Sequence, residues 1–302
     1  MIKIFKTFGG YEEISIIEKG CWVKVTQPTQ EEIEKLIKHF KIPIDSLQDI
    51  LDADEMPRLE FDDDYSLIIM RIPVENPQNG IPYHTIPLGI FITTNCVLTL
   101  CNQENEILQV KQTIPLNDAY SFILHLFERS GCVYLKYLKL INQQTTVIEK
   151  DLEKSIKNSE LNKLLKMEKC LVYFITSIKS NEIVMAKLRN SKKITTEINI
   201  DLLEDAMIEN KQALEMAQIY SDILSGMMDA FASIISNNLN VIMKKLTLVS
   251  IVILIPTFVV GIFGMNVPNG MENSWWAILN IIFVAFAIST ASVIIMRKKQ
   301  WF

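Results

Sequence analysis

Leu246-Thr-Leu-Val-Ser-Ile-Val-Ile-Leu-Ile-Pro-Thr-Phe-Val-Val-Gly-Ile-Phe263 contains no charged side chain, and neither does Trp275-Trp-Ala-Ile-Leu-Asn-Ile-Ile-Phe-Val-Ala-Phe-Ala-Ile-Ser-Thr-Ala-Ser-Val-Ile-Ile-Met296. The hydrocarbon core of a bilayer takes roughly 20 apolar helical residues, so each run is long enough to cross. Buried as a hairpin in a soluble core, two such runs would find little to cover them. Pro256 inside the first run fits a membrane helix, where neighbouring groups re-satisfy the backbone that proline frees. Lys244 and Lys245 precede the first run, Arg297, Lys298 and Lys299 follow the second, and the connecting loop 264–274 has no basic residue. The positive-inside rule therefore puts both ends in the cytoplasm and the loop outside, with Trp275, Trp276 and Trp301 at the interfaces.

The rest of the 302-residue chain is a different material. The whole carries 30 Lys+Arg and 35 Asp+Glu, a formal net charge of −5, and 49% of it is hydrophobic. The mean hydropathy of +0.21 is high for a soluble protein. From Leu246 to Phe302 the only charged side chains are Glu272, Arg297, Lys298 and Lys299, which leaves 27 basic and 34 acidic side chains for the rest, a balance of −7. Such a composition excludes a disordered chain, a disulfide-stapled secreted domain and a basic nucleic-acid binder. The N-terminal MIKIFKTFGGYEE has no apolar stretch of signal-peptide length. The five cysteines form no CxxC and the three histidines are far apart, which argues against a Cys/His zinc site and for buried reduced thiols.

Toward the N-terminus, residues 132–225 contain neither Gly nor Pro. Both residues disfavour helix interiors, and Leu135, Leu138, Ile141 and Leu161, Leu164, Leu165 recur at helical spacing. Residues 117–245 are expected to form a long helical hairpin and a stalk leading into the membrane, with breaks near Asn158 and Asn190–Lys193. Residues 1–116 hold eight of the ten prolines and half of the ten glycines, with β-rich runs at 22–26, 65–72 and 89–100. Thr29 followed by Glu32, ahead of Ile33, Leu36, Ile37 and Phe40, is a capping-box helix start. This first zone is expected to be an α/β domain. The fold class is thus an α+β membrane protein: a cytoplasmic α/β domain (1–116), a coiled-coil-like helical stalk (117–245), and two transmembrane helices at about 246–263 and 275–296 with a basic tail at 297–302.

Two features bear on function. Stepping by three and four from Asn240 gives Met243, Thr247, Ser250, Leu254, Thr257, Gly261 and Gly264, and five of the first six positions are polar or sulfur-containing. A 3.5-residue repeat keeps one face toward the axis of a left-handed bundle. Close packing of membrane helices accounts for such a stripe, and so does the lining of a pore. Two spans cannot enclose a pore, so the second reading requires several chains around an axis. The other feature lies between Gln48 and Tyr65, where eight acids stand against one Arg58. Such a run is either a solvated face or a cation site.

The loop after the first span begins Gly261-Ile-Phe-Gly-Met-Asn-Val-Pro268. Gly264-Met265-Asn266 at the end of the first of two C-terminal spans, behind a long Gly/Pro-free helix, resembles the CorA family of magnesium transporters. The resemblance extends to Leu47-Gln-Asp-Ile-Leu-Asp52, Pro57-Arg-Leu-Glu60, Ser225-Gly226 with Asp229, and Arg297-Lys-Lys-Gln-Trp-Phe302, and so covers essentially the whole chain. It implies a homo-oligomer, a pentamer, in the lipid bilayer of the cell membrane, with Mg2+ both carried and sensed and with Co2+ and Ni2+ as further cargo. Asn266 is then the first selectivity element at the outer mouth. Asn240, Thr247 and Thr257 become polar rings, Ser250 and Gly261 line the same path, and Met243, Leu246 and Leu254 become apolar constrictions that close by dewetting.

The resemblance further implies an inter-subunit regulatory divalent site between Asp49 and Asp205, whose occupancy closes the pore. Gln48 departs from the pattern, since an acid often precedes Asp49, and Glu204 and Glu209 are candidates to compensate. The outer loop departs as well, with Glu272 where the loop acid falls. A zinc transporter of the same superfamily and a membrane-anchored coiled-coil scaffold are the alternatives. No phosphate-binding loop or catalytic constellation points to an enzyme.

Overall fold

The computed structural model describes residues 1–8, 12–75, 80–109, 118–154, 158–191, 199–265 and 275–298. The chain divides into two compact units, Met1–Met228 and Asp229–Phe302.

The first unit is built on six strands: β1 (Ile2–Phe5), β2 (Cys21–Thr26), β3 (Arg58–Phe61), β4 (Tyr65–Glu75), β5 (Tyr83–Thr93) and β6 (Cys96–Cys101). They form one sheet in the order β1-β2-β6-β5-β4-β3, in which β2 and β6 run parallel and the other pairs antiparallel. Helices α1 (Gln30–Phe40) and α2 (Ile44–Leu51) lie in sequence between β2 and β3. Residues alternate across a strand, so Leu67 and Ile69 of β4 join Ile33, Leu36, Leu47 and Ile50 in one core. Ile68, Met70 and Ile72 join Phe122, Phe127, Val184, Met185 and Leu203 in the other. With helices over both faces, the strands read as near-continuous apolar runs.

Local signals in this unit have direct counterparts. The Glu32 amide donates to Thr29 Oγ1 at 3.3 Å and the Thr29 amide donates to Glu32 Oε2 at 2.9 Å, which completes the capping box of α1. The run 89–100 is two strands rather than one. It folds back after Thr93, whose Oγ1 accepts from the Cys96 amide at 3.1 Å and donates to the Cys96 carbonyl at 2.9 Å. Gly89 lets α2 approach the sheet, because a Cβ there would fall 2.2 Å from Ile50 Cδ1.

Helices α3 (Ala119–Lys154), α4 (Asn158–Asn190) and α5 (Ile200–Phe263) occupy the region poor in Gly and Pro. The far end of α3 and the start of α4 border a common hollow, lined by Gln144, Val147, Ile148, Lys163 and Met167, as a hairpin requires. Gly131 admits α5, since a Cβ there would meet Glu209 Cβ at 3.0 Å. Both helices of the hairpin are tied to the sheet through Arg71 on β4. Its carbonyl accepts from Tyr134 Oη at 3.0 Å and from Asn181 Nδ2 at 2.7 Å, and its amide donates to Asn181 Oδ1 at 2.8 Å.

The second unit contains the distal part of α5, with Pro256 inside it, and α6 (Ala277–Lys298). These two helices are long and apolar enough to cross a membrane.

Candidate functional site

In the second unit, α5 and α6 meet along one side of α5. Ser289 Oγ of α6 donates to the Val252 carbonyl at 3.2 Å. Val259 of α5 and Ala285 of α6 are buried, at 9% and 4% exposure. Leu248, Val252, Ile255 and Pro256 are half-covered. At about 100° of rotation per residue, these positions and Val259 share one side of the helix.

The polar stripe lies on the other side. Asn240, Met243, Leu246, Thr247, Ser250, Leu254, Thr257, Gly261 and Gly264 are all exposed in the single chain. Leu254 also borders the groove between the two helices, with Ile255, Phe258 and Val284. The stripe is therefore not the face that packs against α6. Its hydroxyls are turned back on their own helix: Thr247 donates to the Met243 carbonyl at 2.8 Å, Ser250 to Leu246 at 2.9 Å and Thr257 to Ile253 at 2.8 Å. Back-bonding of this kind satisfies the hydroxyl proton locally. The oxygen keeps lone pairs to offer, so each site is an acceptor toward whatever faces it. Met265 is exposed beyond the end of α5. Asn266 and Glu272 lie outside the described residues.

In the first unit, Asp49 sits on α2 and Asp205 on the first turns of α5. Asp205 is exposed and Asp49 half-buried. Among the described residues of one chain, no three His, Cys, Asp or Glu side chains converge as metal ligands. Asp49 is instead engaged by Arg58 at the start of β3, whose Nη2 lies 2.8 Å from Asp49 Oδ2. The same guanidinium reaches Glu60 through Nε at 2.6 Å and pairs with the Glu55 carboxylate through Nη1. Of the two candidates to compensate for Gln48, Glu204 pairs with Arg189 at 3.4 Å. Glu209 lies against Gly131.

Sequence reasoning counts Arg58 as the lone base among eight acids and within Pro57-Arg-Leu-Glu60, and misses it as the shared partner of Asp49, Glu55 and Glu60. One signal points that way. Arg58 and Glu60 are two apart on a strand and so share a face. The reach back to Asp49 depends on how α2 and β3 sit together, which no local pattern encodes.

A model of the CorA-like Mg2+ transporter protein family matches residues 18–299. The cobalt/magnesium transport protein CorA of Methanocaldococcus jannaschii is 29% identical over 308 residues, covering 96% of this chain and 94% of that protein. The cobalt/magnesium transport protein CorA of Thermotoga maritima is 23% identical, covering 93% of this chain and 83% of that protein. The complete structure of the CorA magnesium transporter from Methanocaldococcus jannaschii aligns with a TM-score of 0.81 at 26% identity, over 100% of this chain and 99% of that one.

Proposed function

The chain belongs to the CorA-like Mg2+ transporter family, and from that premise we propose that it conducts hydrated Mg2+ into the cell through a pore formed by several copies, five by the resemblance, with α5 lining the axis. Co2+ and Ni2+, hydrated ions of similar size, are proposed as further cargo. The observation that carries this reading is the stripe on the side of α5 that α6 leaves uncovered, with its hydroxyls held as acceptors. Mg2+ dehydrates reluctantly and usually keeps several waters. A hydrated cation turns water O–H groups outward, and acceptor oxygens suit them without stripping the shell.

The proposed roles follow. Asn266 selects at the outer mouth, with Gly264 and Met265 shaping the turn into it and Glu272 attracting cations by its negative field. Asn240, Thr247, Ser250 and Thr257 form polar rings, with Gly261 as a small residue between them and the mouth. Met243, Leu246 and Leu254 close the path by dewetting. Each charge crossing 100 mV gains roughly 2.3 kcal/mol, and a divalent ion about twice that, so the pore needs a closing device more than an energy source. Asp49 and Asp205 from neighbouring copies are proposed to hold the regulatory Mg2+, for which hard carboxylate oxygens are suitable donors. Domain boundaries at 116 and 245, and cytoplasmic termini, belong to the same reading. The test is Mg2+ uptake into vesicles holding the full chain, with Zn2+ and Ni2+ as competitors. Asn266→Ala is expected to abolish uptake while the oligomer still assembles, and undiminished uptake would refute the selectivity role.

A further inference from the structure

Arg58 is shared by three carboxylates, and the three are not held alike. Glu55 is fixed from two directions: its side chain pairs with Arg58 and is 22% exposed, and its carbonyl accepts from Nη1 of the buried Arg71 at 2.7 Å. Asp49 and Glu60 are 45% and 47% exposed and are held by single contacts to Arg58. If Asp49 leaves, the guanidinium keeps Glu55 and Glu60, so the exchange leaves no uncompensated charge. A divalent ion approaching Asp49 competes with Arg58 for the same Oδ2 lone pairs.

We propose that Arg58 is an internal counter-cation for Asp49, which yields the carboxylate to a divalent ion and thereby sets the Mg2+ concentration at which the cytoplasmic site fills. This rests on the assignment of Asp49 to that site. Arg58 is a positioning residue: it touches Asp49 and is given no contact with the ion. Its removal strips Asp49 of a competitor and the site of a repelling charge, so both effects raise affinity. Because the pair is partly exposed, the change is expected to be modest, about threefold to fivefold.

The experiment measures the internal Mg2+ concentration that halves influx into vesicles holding the full chain, for the parent, Arg58→Gln, Asp49→Asn and the double variant. Mg2+ protection of the full chain from limited proteolysis gives a second titration that does not depend on flux. Arg58→Gln is expected to lower the half-effective concentration, and the shift is expected to vanish in the Asp49→Asn background. Arg58→Lys keeps the charge but cannot fork across three carboxylates, so it is expected to shift the titration the same way by less. That variant serves as the test if Arg58→Gln does not fold. If Asp49→Asn abolishes Mg2+ sensitivity while the Arg58 variants leave the concentration unchanged or raise it, the counter-cation role is wrong and the site stands. If Arg58→Gln loses Mg2+ sensitivity altogether, Arg58 only shapes the site and the counter-cation role is again wrong. If neither Asp49 nor Arg58 matters, both proposals fall.

Discussion

Thr257 and Val259 are two positions apart on α5 and meet different surroundings. Thr257 is exposed with its hydroxyl bonded to the Ile253 carbonyl, and Val259 is buried on the side that meets α6. Thr257→Val keeps the shape and removes the acceptor. It is expected to slow Mg2+ influx with little change in oligomer yield, as read by a Mg2+-sensitive dye beside size-exclusion chromatography. At Gly89 the expectation concerns stability. Gly89→Ala puts a methyl into space already filled by Ile50, and overpacking of this kind costs about 1–3 kcal/mol, seen as a lower thermal midpoint. His84 offers a pH test. Burial, aided by the positive Arg71 nearby, holds its pKa below the ordinary 6.5. The unfolded chain therefore takes up the proton first, so stability is full above about pH 6.5 and declines as pH falls toward the folded pKa. The decline is expected to flatten in His84→Gln, as measured by melting of the full chain between neutral and mildly acidic pH.

At the scale of elements, the fold is legible in the sequence where a signal extends over many residues. The Gly/Pro-free run 132–225 contains most of α3, all of α4 and the first 26 residues of α5, with helix ends at Asn158 and Asn190. The charge-free runs form the two membrane-competent helices. Short elements are hidden. Strands β1 and β3 are four residues each, too short for alternation to register. The 89–100 run conceals a reversal because its polar break, Thr93-Thr94-Asn95, contains neither Gly nor Pro, and because both faces of β5 and β6 are covered, so neither strand shows alternation. The stripe itself is visible from Asn240 to Gly264, but its spacing alone does not separate packing from pore lining. The position of α6, with Ser289 bonded to Val252, is a tertiary fact that distinguishes the two faces.

For the whole molecule, the net charge of −5 divides into an acidic part of −7 and a span-bearing part with three basic residues after its second apolar run. The proposed pore needs the acidic part to sense the ion and the stripe of α5 to pass it. The most direct test places single cysteines on α5 in a chain whose exposed Cys132 is replaced by Ser, the other four thiols being buried. Thr257→Cys and Ser250→Cys lie on the stripe, and Val252→Cys lies on the side facing α6. If the stripe lines the ion path, a positively charged thiol reagent blocks Mg2+ influx through the Thr257→Cys and Ser250→Cys chains and spares the Val252→Cys chain. Block confined to Val252→Cys, or none at any of the three in chains shown to be labelled, would contradict it.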